Sequence, residues 1–152
     1  MNMLPSILQR LALLAFLGPA ALAFVPPGLA EDIKVEARLI WGTNEDKSEK
    51  PKHKPVDEET AKRLRKIFKW KNYFLETAET AVIPHRQSKR IKLSQDCEIE
   101  IKEMQGAPVE VNTYGKGKWI NKTTKSLNAG EWFILGGDDK NECAWFVIVS
   151  RQ

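Results

Sequence analysis

The chain has 152 residues, with 24 basic and 20 acidic side chains and a formal charge of +4. An isoelectric point near 9.1 is only mildly basic, and nucleic-acid proteins concentrate a larger excess on one face, so no nucleic-acid partner is expected. The length suits one domain that buries a single core without a structural metal, and two cysteines do not make a densely stapled fold.

Residues 1–30 read as a secretory signal peptide. The only charge in that stretch is Arg10, and an apolar run from Leu11 to Val25 follows it, broken by Gly18 and Pro19. A membrane-spanning helix needs about 20 apolar residues without such a break, so the leader reads as cleaved rather than as an anchor. Two sites fit the small-x-small rule, Ala21-Leu22-Ala23 and Gly28-Leu29-Ala30. Cleavage after Ala30 is preferred, because it also removes Phe24, Val25 and the Pro26-Pro27 turn and leaves a charged start at Glu31-Asp32; Ala23 is the alternative. No cysteine precedes Cys97, so a lipid-modified cysteine at the cut is excluded. The expected mature protein is a single soluble domain, 31–152, with a charge of about +3, periplasmic or secreted.

Ile33, Val35, Ala37, Leu39 and Trp41 alternate with more polar neighbours, the period of a half-buried strand. Gly42 to Pro55 is polar and charged and reads as a long exposed loop. Asp57 can cap a helix over 57–69, with Glu58 and Glu59 in its first turn and Ala61, Leu64, Ile67 and Phe68 on one face. From Asn72 the pattern turns to β. Tyr73 to Thr77 and Glu79 to Ile83 are two candidate strands, stopped by Pro84.

Lys89 to Leu93 and Cys97 to Lys102 form a hairpin around Ser94-Gln95-Asp96, with Ile91 facing Ile99, Leu93 facing Cys97, Lys92 opposite Glu98 and Arg90 opposite Glu100. A second hairpin joins Val109 to Tyr114 with Lys118 to Thr124 through Gly115-Lys116-Gly117. A third joins Glu131 to Leu135 with Cys143 to Ser150, and its last strand is apolar on both faces and therefore central. The expected fold is mainly β: an antiparallel sandwich or partly open barrel of about eight short strands, with one amphipathic helix over one end.

Few motifs carry chemistry. Gly136 to Glu142 offers oxygen ligands, but its spacing is wrong for an EF-hand and its composition is that of a hairpin turn. Glu98 and Glu100 could be a pair of catalytic carboxylates, yet Arg90 and Lys92 oppose them and make them cross-strand ion pairs. His53 and His85 lie in charged loops with no nucleophile motif nearby. No metal and no cofactor are expected.

Export to an oxidising compartment chemically allows a disulfide between Cys97 and Cys143, which would close a loop of about 45 residues and add about 3–4 kcal/mol; two buried thiols are the alternative. The strongest candidate surface is the helix and its exit. There Lys62, Arg65, Lys66 and Lys69 form a basic stripe, with Trp70 or Tyr73 as an aromatic contact for an anionic polymer, a membrane surface or an acidic protein. The plainer reading is a solvated helix face with those aromatics turned into the core.

Three stretches, Ala37 to Glu45 (ARLIWGTNE), Pro55 to Phe74 (PVDEETAKRLRKIFKWKNYF) and Gly136 to Ser150 (GGDDKNECAWFVIVS), resemble a group of uncharacterised, small, exported β-rich bacterial proteins. The resemblance implies an envelope or secreted setting and brings no activity and no functional residue with it. The resulting expectation is a non-enzymatic binding or assembly module of the bacterial envelope, recognising a protein or an anionic component through the basic helix or a sheet edge. The alternative is a small exported hydrolase, or an inhibitor of one, with its site in the loops.

Overall fold

The computed structural model describes residues 31–47, 50, 52–138 and 144–152. The leader, Cys143 and residues 139–142 of the expected hairpin turn from Gly136 to Glu142 lie outside the described residues. The elements in chain order are β1 (Ile33–Thr43), β2 (Lys54–Pro55), α1 (Glu58–Ile67), β3 (Asn72–Ile83), β4 (Ser88–Lys92), β5 (Cys97–Glu103), β6 (Pro108–Gly115), β7 (Lys118–Ser126), β8 (Trp132–Asp138) and β9 (Ala144–Arg151). They form two antiparallel sheets, a five-stranded one in the order β2-β3-β1-β9-β8 and a four-stranded one in the order β4-β5-β6-β7. The mainly-β sandwich with one helix is therefore what the molecule builds, and neither sheet closes into a barrel.

Alternation along the strands explains the core between the sheets. Val35, Ala37 and Leu39 of β1, with Val147 and Val149 of β9, all point inward and are buried. Ile91, Ile99, Ile101, Val109 and Val111 meet them from the second sheet, also buried. Each Val, Leu or Ile among them contributes about 1.5–3 kcal/mol by leaving water. β9 lies between β1 and β8, the central place its apolar faces demand.

The outward residues of the same strands make a second cluster. Ile40, Phe146 and Ile148 would face water if nothing covered them, and α1 does so through Leu64, which is fully buried among them. The helix is thus a third layer on the outside of the five-stranded sheet, not a cover over one end, because β9 is apolar on both faces and Ile40 of β1 joins Phe146 and Ile148 on the outer one. Its start is fixed by Asp57: one carboxylate oxygen accepts from Thr60 N–H at 2.8 Å and the other from the Thr60 hydroxyl at 2.7 Å. Arg38 of β1 reaches the same carboxylate at 3.5 Å and ties the cap to the sheet. At the other end Phe68 N–H donates to Leu64 C=O at 2.8 Å, and the Phe68 ring lies 4.3 Å from that of Phe146. Gly42 allows this close packing: a Cβ there would stand 2.8 Å from Phe146 Cε2 and 2.9 Å from Trp70 Cδ1.

One expected boundary is corrected. Tyr73 to Thr77 and Glu79 to Ile83 belong to a single strand, β3, because no breaker separates them and a bulge lets the ladder with β1 continue. The expected loop from Gly42 to Pro55 is also shorter. Gly42 and Thr43 complete β1, and Lys54–Pro55 adds a two-residue edge strand beside Leu75 and Phe74.

Candidate functional site

The helix surface does not present the aromatic contact expected of it. Trp70 is 6% exposed and Tyr73 is 3% exposed; both belong to the cluster under α1. Lys62, Arg65, Lys66 and Lys69 do lie on the exposed side. Arg65, however, is held by Glu58 at 3.0 Å and by the carbonyl of Lys71 at 3.2 Å, and the Lys69 ammonium stands 4.8 Å over the Trp70 ring. The basic side chains stay exposed, while the neighbouring aromatics serve the core by covering the outer face of the sheet.

The concave feature lies elsewhere, between the sheets at the end where β5 begins and β6 ends. It is a cleft of about 750 Å³. Its floor on the five-stranded sheet is Leu39, Trp41 and Trp145, and the two tryptophans are direct cross-strand partners, half-buried and side by side. The second sheet contributes Cys97, Tyr114, Gly115 and Ile120, and the rim carries Lys50, Glu76, Ser94, Asp96 and Lys116.

Two β-bulges shape this cleft. The β1–β3 register passes from Leu39↔Thr77 to Ile40↔Leu75, which leaves Glu76 as the residue without an opposite partner. The β6–β7 register passes from Thr113↔Asn121 to Tyr114↔Trp119, which leaves Ile120 in the same position. A bulge re-aims a side chain out of the regular alternation, and here one bulge in each sheet delivers its extra residue to the same cavity. Ile120 rests over Gly115, where a Cβ would come within 2.7 Å of Ile120 Cδ1.

The rim is electrostatically balanced. Glu76 takes Lys50 at 3.1 Å on one carboxylate oxygen and lies 3.7 Å from His53 Nε2 on the other. The His53 imidazole is nearly buried and its pKa is lowered, first by burial and against the pull of Glu76. The Lys116 N–H donates to the Asp96 carbonyl at 2.9 Å, which joins the two turns at the mouth. The Cys97 thiol is pushed up to about 11, first by burial and then by Glu76 and Glu98. A catalytic thiol needs the opposite setting, with cations that favour the thiolate, whereas Cys97 stands in the wall of the cleft beside two carboxylates. Cys143, its expected bridge partner, lies outside the described residues.

His85 sits at the far end of the sandwich, with Nδ1 3.2 Å from Glu103. Glu98 and Glu100 lie 3.9 Å from Arg90 as half-exposed ion pairs, an arrangement worth little energetically. Among the described residues no group of three or more His, Cys, Asp and Glu side chains could hold a metal ion, and no helix is long and apolar enough to cross a membrane.

Sequence reasoning did not assemble the cleft. Trp41 and Trp145 are visible as the last and first inward positions of their strands, but Glu76 and Ile120 reach it only through bulges, which leave no local signature here. No family model, no curated protein and no solved structure matches this chain.

Proposed function

We propose that this chain is an exported, non-enzymatic binding module of the bacterial envelope, and that its ligand enters the cleft between the sheets rather than lying on the basic helix. The leader-like first 30 residues and the resemblance to small exported bacterial proteins support the setting. The observation that carries the site is the convergence of the two bulges, which turn Glu76 and Ile120 toward one cavity paved by Trp41 and Trp145. A cleft of this size, mostly preformed, with apolar walls and a few polar groups, is what ligand recognition requires. The burial of Cys97 and its two neighbouring carboxylates disfavour a nucleophilic thiolate there.

Co-sedimentation of the protein with a bacterial envelope fraction, at low and at high salt, tests the reading. Binding is expected to persist at high salt, to survive the combined change Lys62→Glu, Arg65→Glu and Lys69→Glu, and to be lost in Ile120→Asp. Binding that is abolished by salt and by the helix changes, and is indifferent to Ile120→Asp, would return the site to the helix.

A further inference from the structure

We infer that the cleft takes a neutral saccharide, a sugar unit or short glycan segment stacked on the Trp41–Trp145 pair and held at its hydroxyls by the rim; this rests on the cleft being the binding site. A pyranose ring has an apolar face of C–H groups and an equatorial girdle of hydroxyls. It therefore fits a site with an aromatic floor and polar edges, and two side-by-side indoles offer such a floor. Tryptophan combines large rigid area with little conformational entropy to lose.

The rim matches the girdle. Glu76, already fixed by Lys50 and lying beside His53, is an oriented acceptor. Asp96 is a second acceptor, the Ser94 hydroxyl both donates and accepts, and Lys116 donates. Among the described residues the rim carries two carboxylates, Glu76 and Asp96, and two lysines, Lys50 and Lys116, so their formal charges cancel and favour neither a cation nor an anion. A cation over the tryptophans would meet Lys50 and Lys116, and a phosphate or uronate would meet Glu76 and Asp96.

A peptide is disfavoured by the backbone. Strand addition needs free main-chain donors and acceptors, but β1, β9, β5 and β6 are interior to their sheets, so the main chain of the cleft's floor is paired on both sides; of the strands lining the cleft, only β7, which carries Ile120, and β3 beyond Leu75, which carries Glu76, present an edge. Recognition on the floor is left to side chains, as the stacking of a sugar requires. Glu76 has one oxygen on Lys50 and the other facing His53, so it positions a hydroxyl rather than delivering a proton, and the site binds glycan without cutting it.

The test uses isothermal calorimetry of the full chain with the tetrasaccharides of β-1,4-linked glucose, β-1,4-linked N-acetylglucosamine and β-1,4-linked mannose. Choline chloride and a neutral tetrapeptide are run beside them. Saturable binding of at least one tetrasaccharide is expected, weakened ten-fold or more by Trp145→Ala and several-fold by Glu76→Gln, with chain length unchanged on chromatography afterwards. Trp145→Phe, which keeps an aromatic ring, is expected to retain part of the affinity and guards against misfolding of the alanine variant. Binding of choline or the peptide alone, sensitive to Ile120→Asp, would overturn the saccharide and leave the cleft as the site. Absence of any Ile120-sensitive binding, to these probes and to the envelope fraction, would overturn both. Shortened products would overturn binding without hydrolysis.

Discussion

The two ends of the sandwich are closed and opened by the same strands. β5 runs from Cys97 at the cleft to Glu103 at the opposite end. At that far end Glu103 is 2% exposed and accepts from Arg86 N–H at 2.7 Å and Gly106 N–H at 2.9 Å, which stitches the β3–β4 and β5–β6 turns together. Arg151 adds hydrogen bonds to the carbonyls of Gly106 and Leu127 at 3.2 and 3.4 Å, and Leu127 is fully buried beneath. The stitch holds Arg86 and Gln105 at φ 58° and 73°, conformations that side chains other than glycine rarely adopt. At the near end the turns carry Ser94, Asp96 and Lys116 to the rim of a cavity instead. A buried acceptor draws its loops inward and seals an end, whereas bulges that turn Glu76 and Ile120 into the gap keep the other end open.

The largest effect should come from breaking the stitch. Glu103→Ala leaves two backbone N–H groups without their acceptor, at about 1–3 kcal/mol for each that water cannot reach, and releases the strained turns. A loss of about 2–3 kcal/mol is expected, read as a fall in Tm of about 6–12 °C. Ile120→Ala at the open end removes a side chain that is already 45% exposed and should change stability by less than about 0.5 kcal/mol. Comparable losses in the two variants would mean that the open end is packed as core, and the contrast would fail.

Acid should weaken the closed end. Burial alone would raise the Glu103 carboxyl, but the backbone donors Arg86, Gly106 and Gln105 and the nearby His85 outweigh it, and the net shift is downward. Asp57 is also lowered, chiefly by its hydrogen bonds from Thr60. A carboxyl held below its unfolded value stabilises the fold fully above the unfolded pKa, about 4 for these groups. That contribution is lost as pH falls through the lower, folded value. Denaturant midpoints measured from pH 6 to pH 2 should therefore fall below about pH 4. The fall should be shallower in Glu103→Gln, which keeps one acceptor and does not titrate; an unchanged slope would remove Glu103 as the acid-labile clasp.

How much of this was legible in the sequence follows from what each feature depends on. The Arg90↔Glu100, Ile91↔Ile99 and Lys92↔Glu98 register can be read directly, because a three-residue turn and strict alternation fix it, and the structure has it residue for residue. The Asp57 cap is legible for the same local reason. Alternation also marks both faces of β9 as apolar, yet it does not say what covers the outer one. The sequence therefore places the helix over an end rather than on that face, and leaves Trp70 and Tyr73 open between its surface and the space beneath it, where the structure has them. The cleft was the least legible. A bulge is settled by the partner strand's register, so Glu76 and Ile120 look like ordinary members of their strands until the ladders are paired.

Gly115→Ala should also change stability little, and it bears most directly on the open end. The new Cβ would approach Ile120 Cδ1 to 2.7 Å, with the Asp96 carbonyl 3.9 Å away. The crowded atom is the far end of a half-exposed side chain, so it can swing aside at less than about 1 kcal/mol, the low end of overpacking costs. The bulge is set by the β6–β7 ladder and stays. What changes is where Ile120 goes: displaced from Gly115, its methyl moves within the cavity that the bulge opens. Gly115→Ala should thus alter affinity for the cleft's ligand several-fold while leaving Tm within about 4 °C. A variant that loses stability but binds as before would show that Gly115 and Ile120 close the sheet rather than shape the cleft.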